Sequence, residues 1–127
     1  MVPHGFLAVC LLMTASTSAD AAGACLRYEE PVTLKGIFAT AVFPGVPNYD
    51  SVKGGDEPEP VTFLMLDAPI CIDAAGDPNS VDIPSIAAIQ VSRCDVKTTP
   101  GEYVTLHGTL FARFSGHHHS AALLECG

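Results

Sequence analysis

Three consecutive histidines, His117-His118-His119, are the residues most suited to chemistry in this chain. In an extended segment His117 and His119 project to one face and His118 to the other. Two neutral imidazoles on one face can hold a borderline metal such as Zn²⁺, Cu²⁺ or Ni²⁺. His107, on the preceding strand of the hairpin read below, is the candidate third ligand. Such a site would weaken below pH ~6.5, where the imidazoles charge. The competing reading is a polar hairpin edge, solvated or hydrogen-bonded to backbone, or a cluster in which His and Tyr satisfy one another. A second candidate is Tyr49 beside Asn48 in a Pro-braced loop. Its ring could stack on a sugar, pack on a protein partner, or anchor its own loop. The acidic sets Asp56, Glu57, Glu59 and Asp73, Asp77, Asn79, Asp82 offer oxygen ligands for Ca²⁺. Their spacing matches no EF-hand, so they read chiefly as solvated loop faces.

Catalysis finds little footing. There is no G-x-S-x-G, no H-E-x-x-H and no Gly-rich phosphate loop. Ser115–His117 and Ser120–His119 pairs lack a third member. With 6 Lys+Arg against 14 Asp+Glu, the formal net charge of −8 argues against nucleic acid and against a polybasic membrane-surface module.

Positioning these residues falls to a small β domain. The 127 residues fit one domain, and 11 Gly with 10 Pro favour short strands and turns over a helical bundle. Residues 6–13 form an apolar run too short to span a bilayer, followed by small residues. This predicts a signal peptide over 1–21, cut near Ala21, ahead of one domain over 22–127. Lipidation at Cys25 is disfavoured, because eleven small or polar residues separate the run from it. Cutting at Ala21 removes Asp20 and Cys10, leaving a charge of −7 and four cysteines, Cys25, Cys71, Cys94 and Cys126. An even count in an oxidising compartment predicts two disulfides among three possible pairings. The expected location is periplasmic or secreted, with no transmembrane segment.

Val32–Phe43 reads as a long strand bent at Gly36, and 44–60 as a surface loop turning at Gly54-Gly55. Val61–Leu66 is a short strand that Ala68–Cys71 leaves. A helical turn after Pro84 is expected to run into a strand over Ile86–Ser92. A turn at Pro100-Gly101 precedes a strand over Tyr103–Phe114, and His119–Cys126 is the last strand. Val32-Thr-Leu-Lys-Gly36 echoes Val104-Thr-Leu-His-Gly108, each with a glycine inside a strand, as a sharply coiled strand requires. The expectation is an all-β, five-stranded, OB-type Greek-key barrel with long loops.

Cys25-Leu-x-Tyr28-Glu with Gly36, Pro47-Asn48-Tyr49-x-Ser51, Pro69-Ile70-Cys71, and Gly108-Thr-Leu-Phe111 followed by Gly116-His117-His118-His119 together resemble a family of small secreted bacterial domains of unknown function. The resemblance spans residues 25–124. It implies an OB-like barrel, export, and a Cys25–Cys71 pair, which leaves Cys94 to Cys126; both of these sit at ends of predicted strands. It implies no activity. The function expected is a non-catalytic binding or accessory module of the bacterial envelope, with a protein or saccharide partner. The alternative is a metal-binding protein using His117, His119 and His107.

Overall fold

The structure, a computed structural model, describes Gly5, residues 24–94 and residues 99–127. The expected signal peptide, Gly5 apart, lies outside the described residues. The described chain is all-β: β1 (Leu26–Arg27), β2 (Pro31–Pro44), β3 (Pro58–Asp73), β4 (Ile83–Ser92), β5 (Tyr103–Ala112) and β6 (Ala122–Cys126). The sheet runs β1-β3-β2-β5-β6-β4, and β4 returns to β3. Strands β2 to β6 therefore close on themselves in the order β2-β3-β4-β6-β5, with β4–β6 parallel and the other pairings antiparallel. That is the five-stranded OB-type barrel expected, with β1 added in parallel outside β3.

The closure follows from alternation. Val32, Leu34, Gly36 and Phe38 face inward along β2 with their neighbours outward. Cross-strand pairs Leu34–Leu106, Phe38–Leu64, Leu64–Ile89 and Leu110–Leu124 carry this inward face around the barrel. Directly opposed residues share a face, so each pair buries apolar surface on both sides of one rung. The two echoed glycines stand where neighbouring strands press closest. A Cβ on Gly36 would lie 2.1 Å from the Met65 carbonyl oxygen, and one on Gly108 2.0 Å from that of Glu125. Neither contact can be relieved by turning a side chain, because the obstacle is backbone.

Several local expectations differ from what is observed. β3 does not stop at Leu66 but continues to Asp73. Pro69 is tolerated because the β3–β4 register shifts between Met65 and Ile70, which leaves its missing N–H without a rung to fill. At the other end, Pro58 and Pro60 lie in the arm of β3 paired only to β2. No helical turn follows Pro84; Ile83–Ser92 is strand throughout, with Pro84 next to its start. The final strand begins at Ala122 rather than His119, so the three histidines occupy the connection before it. Two-residue β1 is too short to carry a period. The turns at Gly54-Gly55 and Pro100-Gly101 are present, with Gly55 and Gly101 at φ of 107° and 91°.

Cys25–Cys71 and Cys94–Cys126 are both formed, with Cα–Cα separations of 4.7 and 4.9 Å. The first ties the start of the domain to the end of β3; the second ties the exit of β4 to the end of β6. No helix among the described residues is long and apolar enough to cross a membrane.

Candidate functional site

β2 and β3 extend past the barrel as a two-stranded arm. Beyond Phe38, the side of β2 that faced the core becomes solvent-facing (Thr40, Val42), and the opposite side is covered. On that covered side lie Ala39 opposite Phe63, Ala41 opposite Val61, and Phe43 opposite Glu59. The same side continues outside the barrel proper as the row Phe63–Gln90–Leu123–Phe111 across β3, β4, β6 and β5. Leu123 is on the outer side of β6, yet it is fully buried. The connection 113–121 between β5 and β6 is fastened over this arm and row.

The fastening is specific. His119 stacks on Phe43 with centroids 4.0 Å apart and planes 12° from parallel. Its Nε2–H donates to Glu59 Oε2 at 2.9 Å. His117 Nδ1 meets the other carboxylate oxygen, Oε1. An ionised carboxylate only accepts, so Nδ1 carries a proton; in the neutral ring Nε2 is then left as an acceptor for the Tyr49 hydroxyl at 3.1 Å. Tyr49 also lays its ring against Gly116, where an added Cβ would come within 3.2 Å of it. Glu59 thus joins two imidazoles and, through His117, the 45–57 loop. These hydrogen bonds, that from His119 foremost, hold the Glu59 carboxyl below its usual range against the opposing effect of burial. His118 turns the other way. Its Nδ1 accepts from the Phe114 amide at 3.0 Å, and its ring sits edge-on to Phe111 and Phe114. Burial, followed by the neighbouring His117 and His119, pushes its pKa down.

The 45–57 loop is itself pre-formed. Asp56 is buried, and its carboxylate accepts from the amides of Asn48, Asp50 and Ser51 at 2.9, 2.7 and 2.9 Å. The Asp50, Ser51 and Asn48 amides, in that order, hold its carboxyl below the ordinary value. The bonds bracket Tyr49 and keep it at φ 53°, a left-handed conformation that a tyrosine rarely adopts unaided.

Two of the three candidate histidines are brought together. His117 and His119 share one side and His118 faces away, although through a turn rather than strand alternation. His107 does not join them; it stands on β5, where its Nδ1 pairs with Thr33 Oγ1 at 2.8 Å. Glu59 takes the third place. Asn48 and Tyr49 do sit at this site, with Tyr49 anchoring its loop to the 113–121 connection. Asp73, Asp77 and Asp82 spend carboxylate oxygens on loop amides of Ala75, Asn79 and Ala74. Among the described residues, no group of three or more His, Cys, Asp or Glu side chains is arranged to hold a metal ion. Tyr49–His117–Glu59 has the order of a hydroxyl–imidazole–carboxylate relay. Its atoms, however, are committed to joining two loops, and Glu59 is shared with a second imidazole.

Sequence reasoning missed Glu59 as a partner of the histidines, and missed Gln90 and Phe43. Glu59 was visible only as one acid in a Pro-rich loop. Nothing in local spacing links it to residues 58 and 60 positions away. Comparison with family models, with curated proteins and with solved structures returns no match.

Proposed function

We propose that this chain is an exported, non-catalytic binding module, and that its working surface is the barrel end built by the 45–57 and 113–121 connections with the outer side of β3 and β4. The observation that carries this is the fastening itself. Two long connections from separate strand pairs are held to one another by a dedicated polar network rather than left as independent loops. In OB-type barrels these two connections and this pair of strands are where ligands are taken, a likeness of architecture that supports the placement. Export is supported by two disulfides, which persist in oxidising compartments. Cleavage near Ala21 belongs to the same proposal, and the intact mass of the exported protein checks it.

The test uses immobilised mature protein, Val52→Asp in the 45–57 loop, and Val81→Asp on an exposed position outside the two connections. Envelope proteins and cell-wall polysaccharide of the producing cells are passed over each. A ligand retained by wild type and Val81→Asp, and lost from Val52→Asp, supports the reading. Retention unaffected by Val52→Asp but lost with Val81→Asp overturns the placement.

Metal binding is a second reading, favoured only by the convergence of His117 and His119 on one carboxylate. It requires Glu59 to withdraw so that an ion takes its place between the two nitrogens. Titration with Zn²⁺, Cu²⁺ and Ni²⁺ at pH 7.5 decides it. A rise in melting temperature that His117→Ala and His119→Ala each remove supports a site; no rise with any of the three ends this reading.

A further inference from the structure

Gln90 is the buried polar side chain at the centre of the outer row. Its amide does not bond to the barrel. Oε1 accepts from the His119 N–H at 2.6 Å, and Nε2 donates to the His117 carbonyl at 2.9 Å. A donor and an acceptor spaced two residues apart on one chain are what a strand offers its parallel neighbour around a single residue. The Gln90 amide therefore reads the backbone flanking His118 as one rung of a parallel ladder would. Glu59 then reads the side chains on either side: two N–H donors, at positions i and i+2, on the two oxygens of one carboxylate. Phe43 supplies a flat apolar surface for the second ring. Backbone pair, donor pair and stacking plane together describe a short peptide entering from a turn over Ser115–His118, and nothing in the set is particular to the chain being covalently attached.

The hold on this peptide is uneven, weaker at His117 than at His119. His117 has 56 % of its side chain exposed. It is fastened by side-chain hydrogen bonds to Glu59 and Tyr49, whereas the His119 side chain is only 13 % exposed and stacked on Phe43. Phe114, the one large apolar residue of the connection besides the histidines, is 81 % exposed.

We infer that residues 113–121 are a displaceable strap that occupies a peptide-binding site in cis, and that the module's ligand is a polypeptide segment of a partner with His or Arg at two positions two residues apart. The inference rests on the binding-module reading above and names its ligand class. An imidazole or a guanidinium is planar enough to stack on Phe43 and carries N–H donors for Glu59. A saccharide lacks the N–H and C=O pair that Gln90 engages. The acidic balance of the chain favours a cationic segment over an acidic one.

The test uses a fluorescein-labelled peptide, acetyl-Arg-Phe-Ser-Gly-His-His-His-Ser-Ala-amide, equal to residues 113–121. It is titrated by anisotropy into the disulfide-intact mature protein, into His117→Ser/His119→Ser, in which the strap is unfastened, and into that double variant with Gln90→Ala added. The expected result is binding to the double variant at least tenfold tighter than to wild type, lost at least tenfold with Gln90→Ala. A peptide with its first and third His replaced by Ser should bind at least tenfold less well. Equal binding to all three proteins, or none to a double variant that melts cooperatively, overturns the inference. Amide exchange in the wild type is a second measurement, free of any folding defect. The His119 N–H should exchange by local opening, well before the Leu124 amide of β6; exchange only with global unfolding means the strap does not lift, and the inference falls. If peptide binding fails while Val52 still governs ligand capture, the strap inference alone is lost.

Discussion

Replacing Gly108 or Gly36 by Ala tests whether close strand approach, rather than turn conformation, is why these glycines are needed. Neither is among the glycines with positive φ, so a methyl group is not opposed by backbone conformation. It is opposed by space. At Gly108 the new Cβ would stand 2.0 Å from the Glu125 carbonyl oxygen, whereas real Cβ contacts essentially never fall below 3.0 Å. β5 and β6 must part by about 1 Å at a rung that pairs Gly108 with Cys126, next to the Cys94–Cys126 disulfide. Overpacking of this kind costs about 1–3 kcal/mol. Weakening two ladder hydrogen bonds adds roughly 0.5–1.5 kcal/mol each. The sum, on the order of 2–6 kcal/mol, compares with a total stability of about 5–15 kcal/mol for a domain. Urea unfolding of the purified mature protein reads this directly. With a slope of roughly 1–3 kcal/mol/M, a loss near 3 kcal/mol moves the midpoint by about 1–3 M. Gly36→Ala, against the Met65 carbonyl, should behave alike. Gly54→Ala, whose nearest contact is 3.5 Å, is the control and should change the midpoint little. Gly108→Ala and Gly36→Ala within about 0.5 kcal/mol of wild type, the scale of an ordinary surface change, would refute the close-approach argument.

Asp56→Asn should leave the barrel folded and loosen the 45–57 loop, seen as faster amide exchange at Asn48, Asp50 and Ser51 with β-strand amides unchanged. Stability should fall with acid in two stages. His118 is held below 6.5, so its contribution is complete above that pH and declines as pH falls through its lowered value; Glu59 is held below 4.5, so its contribution disappears only as pH falls beneath that. In melting curves from pH 8 to 3, His118→Ala should flatten the first stage and Glu59→Gln the second. Removing Cys25–Cys71 as a pair of serines should lower stability by about 4 kcal/mol in the chain-entropy account of its 46-residue separation, visible as a large drop in melting temperature under non-reducing conditions.

Much of this architecture was legible because alternation and glycine placement are local signals with one structural solution. Val32-Thr-Leu-Lys-Gly36 and its echo at Gly108 marked the two strands that coil, and both glycines lie at backbone collisions. Proline misled along β3 and at the start of β4. Pro58, Pro60 and Pro69 read as strand breaks, yet each sits where β3 lacks a partner on one side or its register slips. The site was only half legible. The histidines announced themselves by type, but Glu59, Gln90 and Phe43 are brought to them by barrel closure across β3, β4 and β2. Such contacts have no signature in spacing. His107 illustrates the converse: a residue near in the hairpin is carried along β5, away from the cluster, to Thr33.

The central claim, that ligand is taken at the end of the barrel where the 45–57 and 113–121 connections meet, is met most directly by site-specific photo-crosslinking. A benzophenone amino acid is placed at Val52 or at Val81, both exposed, and the protein is irradiated in the cells that produce it. The account predicts a discrete higher-mass adduct from position 52, with none from position 81. An adduct from position 81 with none from position 52 would contradict it.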